Sequence, residues 1–300
     1  MSKESMPMLR TKELLSVKSG FEEFKAILLP FAYNITGDFM AAEDIVQEVL
    51  TKYLLVPNPA VESPKHYLIR AVINRSINEK KLLRTRMEDY RGRWLPTPIL
   101  TEDNIYREVD RKKILHYSLL VLLERLNAKE RAVFILKETF DFEHEEIAEI
   151  LGIKVDHSRQ LLKRAKEKIS HQKTTSIPPK SKSVPFLENL VEAISKSDIP
   201  RTKLLLSKDV QCMSDGGKVK AARNMLTGQD HVSKFLKAIY GKYYPEGAEW
   251  QIVEINYHPA IVFTLNGKIF RCIIFDIRED VVQQVFIVVN PDKLKLLKLS

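Results

Sequence analysis

The sequence predicts a multidomain protein in which two all-α domains precede a C-terminal α+β domain. Three observations carry this prediction. Apolar residues recur at helical spacing over residues 10–94 and 105–169, β-branched and aromatic residues dominate after residue 250, and proline-rich segments separate these parts. At 300 residues, the chain is also too long for one small core.

Composition indicates a globular protein, and its positive net charge favours a polyanionic partner without identifying one. Hydrophobic residues make up 44% and charged residues 29%, and the formal net charge is +9. No apolar run suits a membrane span and the N-terminus lacks the apolar stretch of a secretory signal, so we expect a cytoplasmic protein without a membrane partner. Cys212 and Cys272 lack zinc-site spacing. A disulfide stays open beside two buried thiols, and no cofactor or metal is implied.

The first predicted domain covers residues 10–94 and is a bundle of helices. Thr36-Gly37-Asp38 interrupts the helical pattern, and Asp38 suits the N-cap of the next helix. Ser63-Pro64 is typical of a helix start, because proline is tolerated at the first helical position. A long helix is expected to follow to about residue 90, and the prolines of 95–104 indicate a linker.

The second predicted domain covers residues 105–171 and contains a helix-turn-helix. A short helix at 144–151 is followed by Gly152 and a second helix at 155–169. Ala148 is small enough for the two helices to cross closely there, and Ile153 supplies the apolar side chain of the turn. Residues 153–173 hold seven basic and two acidic side chains. Such a helix favours DNA contact in the major groove, although a merely solvated basic face is the alternative. The side chains placed for base or phosphate contact are Arg159, Gln160, Lys163 and Arg164.

Two more clusters lie in the first domain. Residues 70–93 hold eight basic side chains, Lys80 among them, and three acidic ones, with aromatic and amide residues interleaved. That mixture suits single-stranded DNA, whose bases stack while cations neutralise phosphates, but it also fits a solvated helix. Glu43, Asp44, Gln47 and Glu48 lie on neighbouring helical faces, which favours a protein-docking face over an acid–base site.

The C-terminal part begins after a predicted flexible linker at 172–185. We expect a domain over 186–300, with helices at 186–206 and 228–241. Strands at 260–265 and 268–275 flank Asn266-Gly267, which is typical of a hairpin with a type I′ turn, and 281–289 supplies a further strand.

Several motifs together resemble bacterial extracytoplasmic-function (ECF) sigma factors of the sigma-70 family. The stretch Leu29–Glu48 resembles sigma region 2, and Leu126–Phe134 with the helix-turn-helix resembles region 4. Tyr90-Arg-Gly-Arg-Trp-Leu-Pro-Thr-Pro98 resembles a segment of the SigJ-like subgroup, which carries a fused C-terminal SnoaL-like cone domain. Ser214-Asp-Gly-Gly-Lys218, one glycine short, and Asn290-Pro-Asp-Lys-Leu294 resemble two further motifs of that subgroup.

The resemblance implies an RNA polymerase sigma factor that directs core polymerase to −10 and −35 promoter elements, and not an enzyme. Residues implied to dock on the coiled coil of the largest polymerase subunit are Asp44, Gln47 and Glu48. Those implied to read and open the −10 element are Tyr67, Arg70, Asn74, Arg75, Asn78, Lys81 and Arg84. The −35 residues are the four of the recognition helix. Lys154 departs from the pattern, since the family has a capping Ser or Thr there.

The resemblance also implies that the C-terminal domain regulates the sigma domains in cis by contacting them. Because this domain is fused through a short tether, our hypothesis is that it clamps the two sigma domains in one arrangement. The motif residues implied in this are Asp215, Gly216, Gly217, Lys218, Asn290, Pro291, Asp292, Lys293 and Leu294. SnoaL-like relatives include acid–base enzymes, and Asp215, Asp276, His231 and His258 are the available groups, but their spacing marks no dyad. His258, before Pro259, is interpreted as a turn residue.

Two other functions remain open from the sequence. One is a helix-turn-helix regulator with a ligand-sensing C-terminal domain, and the other is a SnoaL-type enzyme with a DNA-binding appendage. The polar face at 43–48 and the basic segment at 67–94 favour the sigma factor, because a repressor needs neither a polymerase-docking face nor a surface that captures single strands.

Overall fold

A computed structural model describes residues 11–55, 63–86, 90, 93–101, 113–169, 180–242 and 244–299. The helices of the first part are α1 (Thr11–Thr36), α2 (Phe39–Leu55), α3 (Pro64–Arg86), α4 (Tyr117–Leu122), α5 (Ala128–Glu138), α6 (His144–Leu151) and α7 (Val155–Ile169). A 3₁₀ turn, Leu123–Arg125, links α4 to α5. Within the described ranges, no helix combines the length and apolar character needed to cross a bilayer.

The break between α1 and α2 lies where the sequence predicts it. Asp38 Oδ1 accepts a hydrogen bond of 3.2 Å from the Ala41 N–H, so the predicted cap is confirmed. Gly37 has φ +73°, and a Cβ there would lie 2.8 Å from Cη2 of Trp94. A side chain is therefore excluded both by the backbone conformation and by the indole ring that covers this turn.

The helix-turn-helix is also confirmed. Gly152 ends α6 in the left-handed conformation, and the Ile153 N–H donates 3.0 Å to the Ala148 carbonyl. Ala148 is buried and Ile153 packs against the core. Asn127 and Glu130 form a reciprocal capping box at the start of α5, which fixes the entry to this region.

The helices on either side of the 95–104 segment share one hydrophobic core. Leu28 of α1, Ile73 of α3, Val133 of α5 and Leu161 of α7 all belong to it. Burial of apolar surface therefore holds the two predicted helical domains together, with α3 lying against α5 and α6.

The C-terminal part is an α+β domain with one six-stranded sheet. Its helices are α8 (Lys180–Ser195), α9 (Ile199–Leu204), α10 (Gln229–Lys242) and α11 (Pro291–Leu294). Its strands are β1 (Leu206–Asp215), β2 (Leu226–Thr227), β3 (Glu249–Ile255), β4 (His258–Leu265), β5 (Lys268–Arg278) and β6 (Val281–Val288). The strand order is β2-β1-β6-β5-β4-β3, with β1 parallel to β6 and the other pairs antiparallel. The predicted fold class is thus confirmed.

The antiparallel strands are joined by tight turns whose residues have positive φ. Asn266 and Gly267 have φ of 51° and 72°, as the predicted type I′ turn requires. Glu279 and Asp280 connect β5 to β6 in the same way, with φ of 51° and 56°. The hairpin prediction is therefore confirmed, and the strand predicted at 281–289 is β6.

Several elements differ from the sequence-based expectation: β1 and β2 were not predicted, and the helix expected at 186–206 is two helices, α8 and α9. Strand β1 was not predicted, because its partner β6 lies about seventy residues away and parallel pairing leaves no local turn signal. Helix α8 begins at Lys180, inside the predicted linker 172–185, and it includes Pro185. Its first turns carry Lys and Ser without an apolar period, so the pattern became visible only from residue 186 onward.

The two faces of the sheet have different coverings. On one face, Ile261, Ile273 and Val285 pack against α8 and α10. On the other, Val262, Ile274 and Phe286 belong to a core that also includes residues of the 95–101 segment, α4 and α11. The second face therefore joins the C-terminal domain to the helical part.

Cys212 and Cys272 are buried free thiols. Of the two alternatives left open by the sequence, a disulfide or two buried thiols, the structure shows the second.

Candidate nucleic-acid interface and interdomain site

Helix α7 presents its basic side chains on one exposed face. Its opposite face is apolar and buried, through Leu161, Ala165 and Ile169. The four residues predicted for −35 contact, Arg159, Gln160, Lys163 and Arg164, are all exposed. Arg159 forms surface ion pairs of 3.0 Å with Asp156 and 3.3 Å with Glu145. Such pairs are weak, so this guanidinium can exchange them for a phosphate or a base edge.

The residues predicted for −10 contact lie on α3, and α6 covers part of that surface. Asn74 Nδ2 donates 2.9 Å to the Ile150 carbonyl at the end of α6, and Arg70 lies 4.0 Å from Glu149. Tyr67, Asn78 and Lys81 are exposed. The side chain of Arg84 lies outside the described residues. Part of the predicted −10 surface is thus occupied by a contact within the chain.

The polar face of α2 contacts the predicted −10 surface of α3 through an ion pair between Glu48 and Arg75. Arg75 Nε lies 3.2 Å from Glu48 Oε2, so a predicted DNA-contacting residue pairs with a predicted polymerase-docking residue. Lys52 lies 2.6 Å from Glu48 Oε1, and its hydrogen bond, with that of Arg75, lowers the pKa of Glu48. Asp44 and Gln47 are exposed on the same helix.

A buried ion pair lies where Tyr90, Leu95, β1 and α11 meet. Lys293 Nζ lies 2.6 Å from Asp215 Oδ2, and the exposed fraction of each residue is 5% or less. The Tyr90 hydroxyl donates 2.5 Å to Asp215 Oδ1, the Leu95 N–H donates 2.8 Å to Asp215 Oδ2, and Lys293 also donates to the Leu95 carbonyl. Burial lowers the pKa of Lys293, and Asp215 opposes that effect. We call these four residues the Asp215–Lys293 cluster.

The remaining motif residues pack around this cluster. Asn290 Nδ2 donates 2.8 Å to the Tyr90 hydroxyl, and Asn290 Oδ1 accepts from the Asp292 N–H to cap α11. Gly217 has φ +56°, and a Cβ there would lie 2.6 Å from Asn290 Nδ2, so only glycine fits. Lys218 forms an exposed pair of 3.5 Å with Asp292. Three motifs far apart in sequence therefore meet at one site.

The ring of Trp94 connects this cluster to a second buried set of charges. Lys293 Nζ lies 4.2 Å from a ring centroid of Trp94, and Lys80 Nζ lies 4.5 Å from one. Lys80 is buried, so its predicted place on the exposed basic face of α3 is wrong. The helical period places this residue on the buried side of α3, where its ammonium group contacts a carboxylate.

Glu124 of the 3₁₀ turn is that carboxylate. Its two oxygens accept from Lys80 Nζ at 2.9 and 2.8 Å, and it also pairs with Arg131, whose Nε donates 2.8 Å to the Asn34 carbonyl. Burial lowers the pKa of Lys80 to about 8 against the opposing charge of Glu124. Burial alone would raise the pKa of Glu124, but the two cations keep it below its usual range. Sequence reasoning missed Glu124, which carries no motif signal, and assigned no role to Arg131, although it lies within the Leu126–Phe134 motif.

Asn256, in the turn between β3 and β4, forms a second contact between domains. Its Oδ1 accepts 2.9 Å from the Ile99 N–H, and its Nδ2 donates 3.0 Å to the Tyr33 hydroxyl of α1. Its backbone carbonyl accepts from the Tyr117 N–H at the start of α4. One amide side chain therefore joins α1, the 95–101 segment and the sheet, and sequence reasoning missed this residue too.

His258 is the first residue of β4 and is buried, so its interpretation as a turn residue is wrong. Its Nε2 accepts from the Ser118 N–H at 3.3 Å and lies 3.0 Å from Ser118 Oγ on α4. Two of the other candidate acid–base groups have different partners: Asp276 pairs with Arg278, and His231 Nδ1 contacts the Thr227 carbonyl. The described geometry brings no two of the four candidates into a hydrogen-bonded dyad.

His258 gives the fold an expected pH dependence. Burial lowers its pKa from 6.5 to about 4, while the charge of Asp276 raises it and that of His116 lowers it further. The folded state binds the proton less well than the unfolded state, so the free energy of unfolding should fall by up to about 3 kcal/mol as pH drops from about 6.5 to 4. Urea unfolding measured across this range should show a shallower pH slope for His258→Gln. An unchanged slope would contradict this assignment.

Comparison with known proteins agrees with this organisation. A family model for sigma-70 region 4 matches residues 116–169. The ECF RNA polymerase sigma factor SigJ of Mycobacterium tuberculosis is 29% identical over 232 residues, which cover 76% of this chain and 74% of SigJ. The probable ECF RNA polymerase sigma factor SigI of the same species is 23% identical over 292 residues, covering 94% and 96%.

The fold is shared as well. A crystal structure of M. tuberculosis SigJ superposes with a TM-score of 0.73 at 24% identity, covering 95% of this chain and all of that one. The overlap includes both the helical part and the α+β part described above. The chain is therefore similar to ECF RNA polymerase sigma factors over most of its length, and a match to sigma-70 region 4 precedes its C-terminal α+β domain.

Proposed function

We propose that this chain directs core RNA polymerase to promoters by reading −10 and −35 elements, and that its C-terminal domain regulates it in cis. The observation that carries the first part is the exposed basic face of α7 inside the matched region 4. The convergence of three motifs on the Asp215–Lys293 cluster carries the second.

In this proposal α7 lies in the major groove of the −35 element. Arg159 and Gln160 read base edges, while Lys163 and Arg164 hold phosphates. Residues of α3 capture the opened −10 element: Tyr67 offers an exposed ring for stacking, and Lys81 offers an exposed cation. Asp44, Gln47 and Glu48 dock on the coiled coil of the largest polymerase subunit.

The described arrangement is a closed one under this proposal. The −10 and −35 elements are 25 base pairs apart by their numbering, or about 85 Å along the DNA axis. Helix α3 meanwhile contacts α6 through Asn74 and Ile150. Simultaneous reading of both elements thus requires α3 to separate from α6, which frees Asn74 and Arg70 for DNA.

The C-terminal domain supports the closed arrangement because it contacts both helical regions. Asn256 bonds to Tyr33 of α1, and His258 bonds to Ser118 of α4. Holding these two points in one position restrains the separation that promoter reading requires. The domain thereby takes the place of a separate regulatory protein.

Transcription in vitro tests this proposal. Purified core polymerase should initiate at specific start sites on a pool of genomic fragments only when the full-length chain is added, and 5′-end sequencing of the transcripts should show shared −10 and −35 sequences. A chain that binds DNA but neither binds core polymerase nor changes initiation would instead be a helix-turn-helix regulator.

The cis regulation has its own test in the full-length chain. Asn256→Ala removes the bonds to Ile99 and Tyr33 and should change promoter occupancy at equal core binding. Asn266→Ala, in the exposed β4–β5 turn, serves as a control for an asparagine without interdomain contacts among the described residues. Equal transcription by both variants and the wild type would contradict the cis role.

Arg159→Ala should cost about 1–3 kcal/mol of binding free energy at one −35 position, because a bidentate contact to a base edge would be lost. Competition binding of polymerase holoenzyme to promoters with every single −35 substitution measures this. Lys166→Ala on the same helix is the control, expected to weaken binding equally on all sequences if it contacts phosphate. Uniform weakening by Arg159→Ala would make Arg159 a phosphate contact instead.

A further inference from the structure

A cavity of about 930 Å³ lies where the helical part meets the C-terminal sheet. The end of α3 and the segment around Arg93–Leu95 form one wall, and the 3₁₀ turn with the start of α5 forms another. The third wall belongs to the sheet domain, through Gln211, Met213 and Gln284. No single domain builds this cavity, so it exists only while all three parts are assembled.

The mouth of the cavity carries an excess of positive charge. Lys81, Arg93, Arg125 and Lys129 line it, all four are exposed, and none pairs with a carboxylate among the described residues. Glu124, the carboxylate of the lining, is already engaged by buried cations. Neighbouring cations without counterions repel one another, so an anion at the mouth lowers the energy of the site.

The sheet wall carries a buried polar atom without a partner. Gln284 is 6% exposed, and its side-chain oxygen accepts no hydrogen bond from the described residues. Its Nε2 donates 3.3 Å to Gln211 Oε1. Because an unsatisfied buried acceptor is costly, it points to a donor supplied from inside the cavity.

The wall beside these amides is apolar and adaptable. Met213 and Met225 face the cavity from the sheet domain, and Val121 and Leu122 face it from α4. Methionine side chains adjust to ligands of irregular shape, because they are unbranched and polarizable. The lining thus combines a cationic mouth, an apolar wall and an inner hydrogen-bonding amide.

We propose that this cavity binds a small amphipathic anion: a carboxylate or phosphate held by the cations at the mouth, an apolar body against the methionines, and a hydroxyl or N–H that donates to Gln284. Such a ligand binds only the assembled arrangement and therefore stabilises it over the separated one. The binding itself does not depend on the proposed promoter function.

The probe we choose is 8-hydroxyoctanoate, which carries a carboxylate, an apolar chain and a terminal hydroxyl. Titration calorimetry and thermal denaturation of the full-length chain, without polymerase or DNA, should show one saturable site and a higher Tm. Octane-1,8-diol, which lacks the anion, and octyltrimethylammonium, which reverses the charge, should each bind at least tenfold more weakly. No saturable binding of the probe at millimolar concentration, or equal binding of either analogue, overturns the proposal.

Variants assign the contacts. Arg125→Ala combined with Lys129→Ala should weaken probe binding about tenfold, and Lys81→Ala with Arg93→Ala provides a second pair should the first fail to fold. Octanoate lacks the terminal hydroxyl that donates to Gln284, so the wild type should prefer 8-hydroxyoctanoate, and Gln284→Leu should abolish this preference.

The control is Lys234→Ala combined with Lys237→Ala, which removes two exposed cations on α10 and should leave the affinity unchanged. An equal loss in the α10 variant, or an unchanged preference in Gln284→Leu, overturns the assignment. Because no promoter enters these measurements, their failure leaves the proposed function intact, and the reverse holds too.

Discussion

Replacing Lys293 with methionine is expected to lower the free energy of unfolding by about 3–5 kcal/mol, which makes it one of the two most damaging single changes we predict. The substitution keeps most of the side-chain volume but leaves Asp215 as a buried carboxylate without its cation. The hydrogen bonds from Tyr90 and Leu95 remain, and they cannot replace a full charge. Urea denaturation followed by circular dichroism measures the loss.

The control for this prediction is Lys295→Met, two residues further along. Lys295 is exposed and lies 3.6 Å from Asp292, so its loss should change stability by no more than about 0.5 kcal/mol. A double-mutant cycle with Asp215→Asn should show that the two changes together cost less than their sum, because the second removes the charge stranded by the first. Equal effects of Lys293→Met and Lys295→Met would show that the buried pair does not stabilise the native chain.

Glu124→Gln is expected to cost a similar amount, about 3–5 kcal/mol, because it leaves two buried cations without their shared carboxylate. Lys80 can relieve part of this by losing its proton, since its pKa of about 8 falls further without Glu124. Arg131 cannot, because a guanidinium stays charged. The deficit relative to wild type should therefore shrink as pH rises toward about 8 and stay constant above it, which unfolding measurements between pH 6 and 9.5 will test.

Glu149→Gln is the matched control for this change. Its carboxylate is exposed and lies 4.0 Å from Arg70, so the same chemical substitution should change stability by no more than about 0.5 kcal/mol at any of these pH values. A constant deficit across the pH range for Glu124→Gln would mean that Lys80 keeps its proton without its partner.

Turn and cap residues in the sequence predicted those elements whose conformation depends only on neighbouring residues. Gly37 and Asp38 mark the first helix break, Gly152 marks the helix-turn-helix, and Asn266-Gly267 marks the hairpin, because each needs only a few neighbouring residues to adopt its conformation. Strand β1 escaped prediction because its place is decided by a parallel partner far along the chain. The start of α8 escaped because its first turns have no apolar period.

The candidate site likewise has features that local sequence predicts and features that only the tertiary fold decides. Exposure of the basic face of α7 follows from its helical period, so the sequence predicts it well. Lys80 was misplaced because counting charges along a helix does not reveal which cation turns inward. The motifs around Tyr90, Asp215 and Lys293 were visible one by one, but their contact is a property of the tertiary fold, and Asn256 and Glu124 have no motif at all.

Trp94 has a consequence for how the chain can be studied. It is one of only two tryptophans, and its indole lies close to the ammonium groups of Lys80 in α3 and Lys293 in α11, which are far apart in sequence. The other, Trp250, lies in β3 and is partly exposed. In a Trp250→Phe background, the emission of this single indole is a built-in optical reporter, because opening of the assembly moves charge and water around the fluorophore. Fluorescence can then test whether promoter DNA, which contains no tryptophan, opens the assembly as we propose, and it can time that opening.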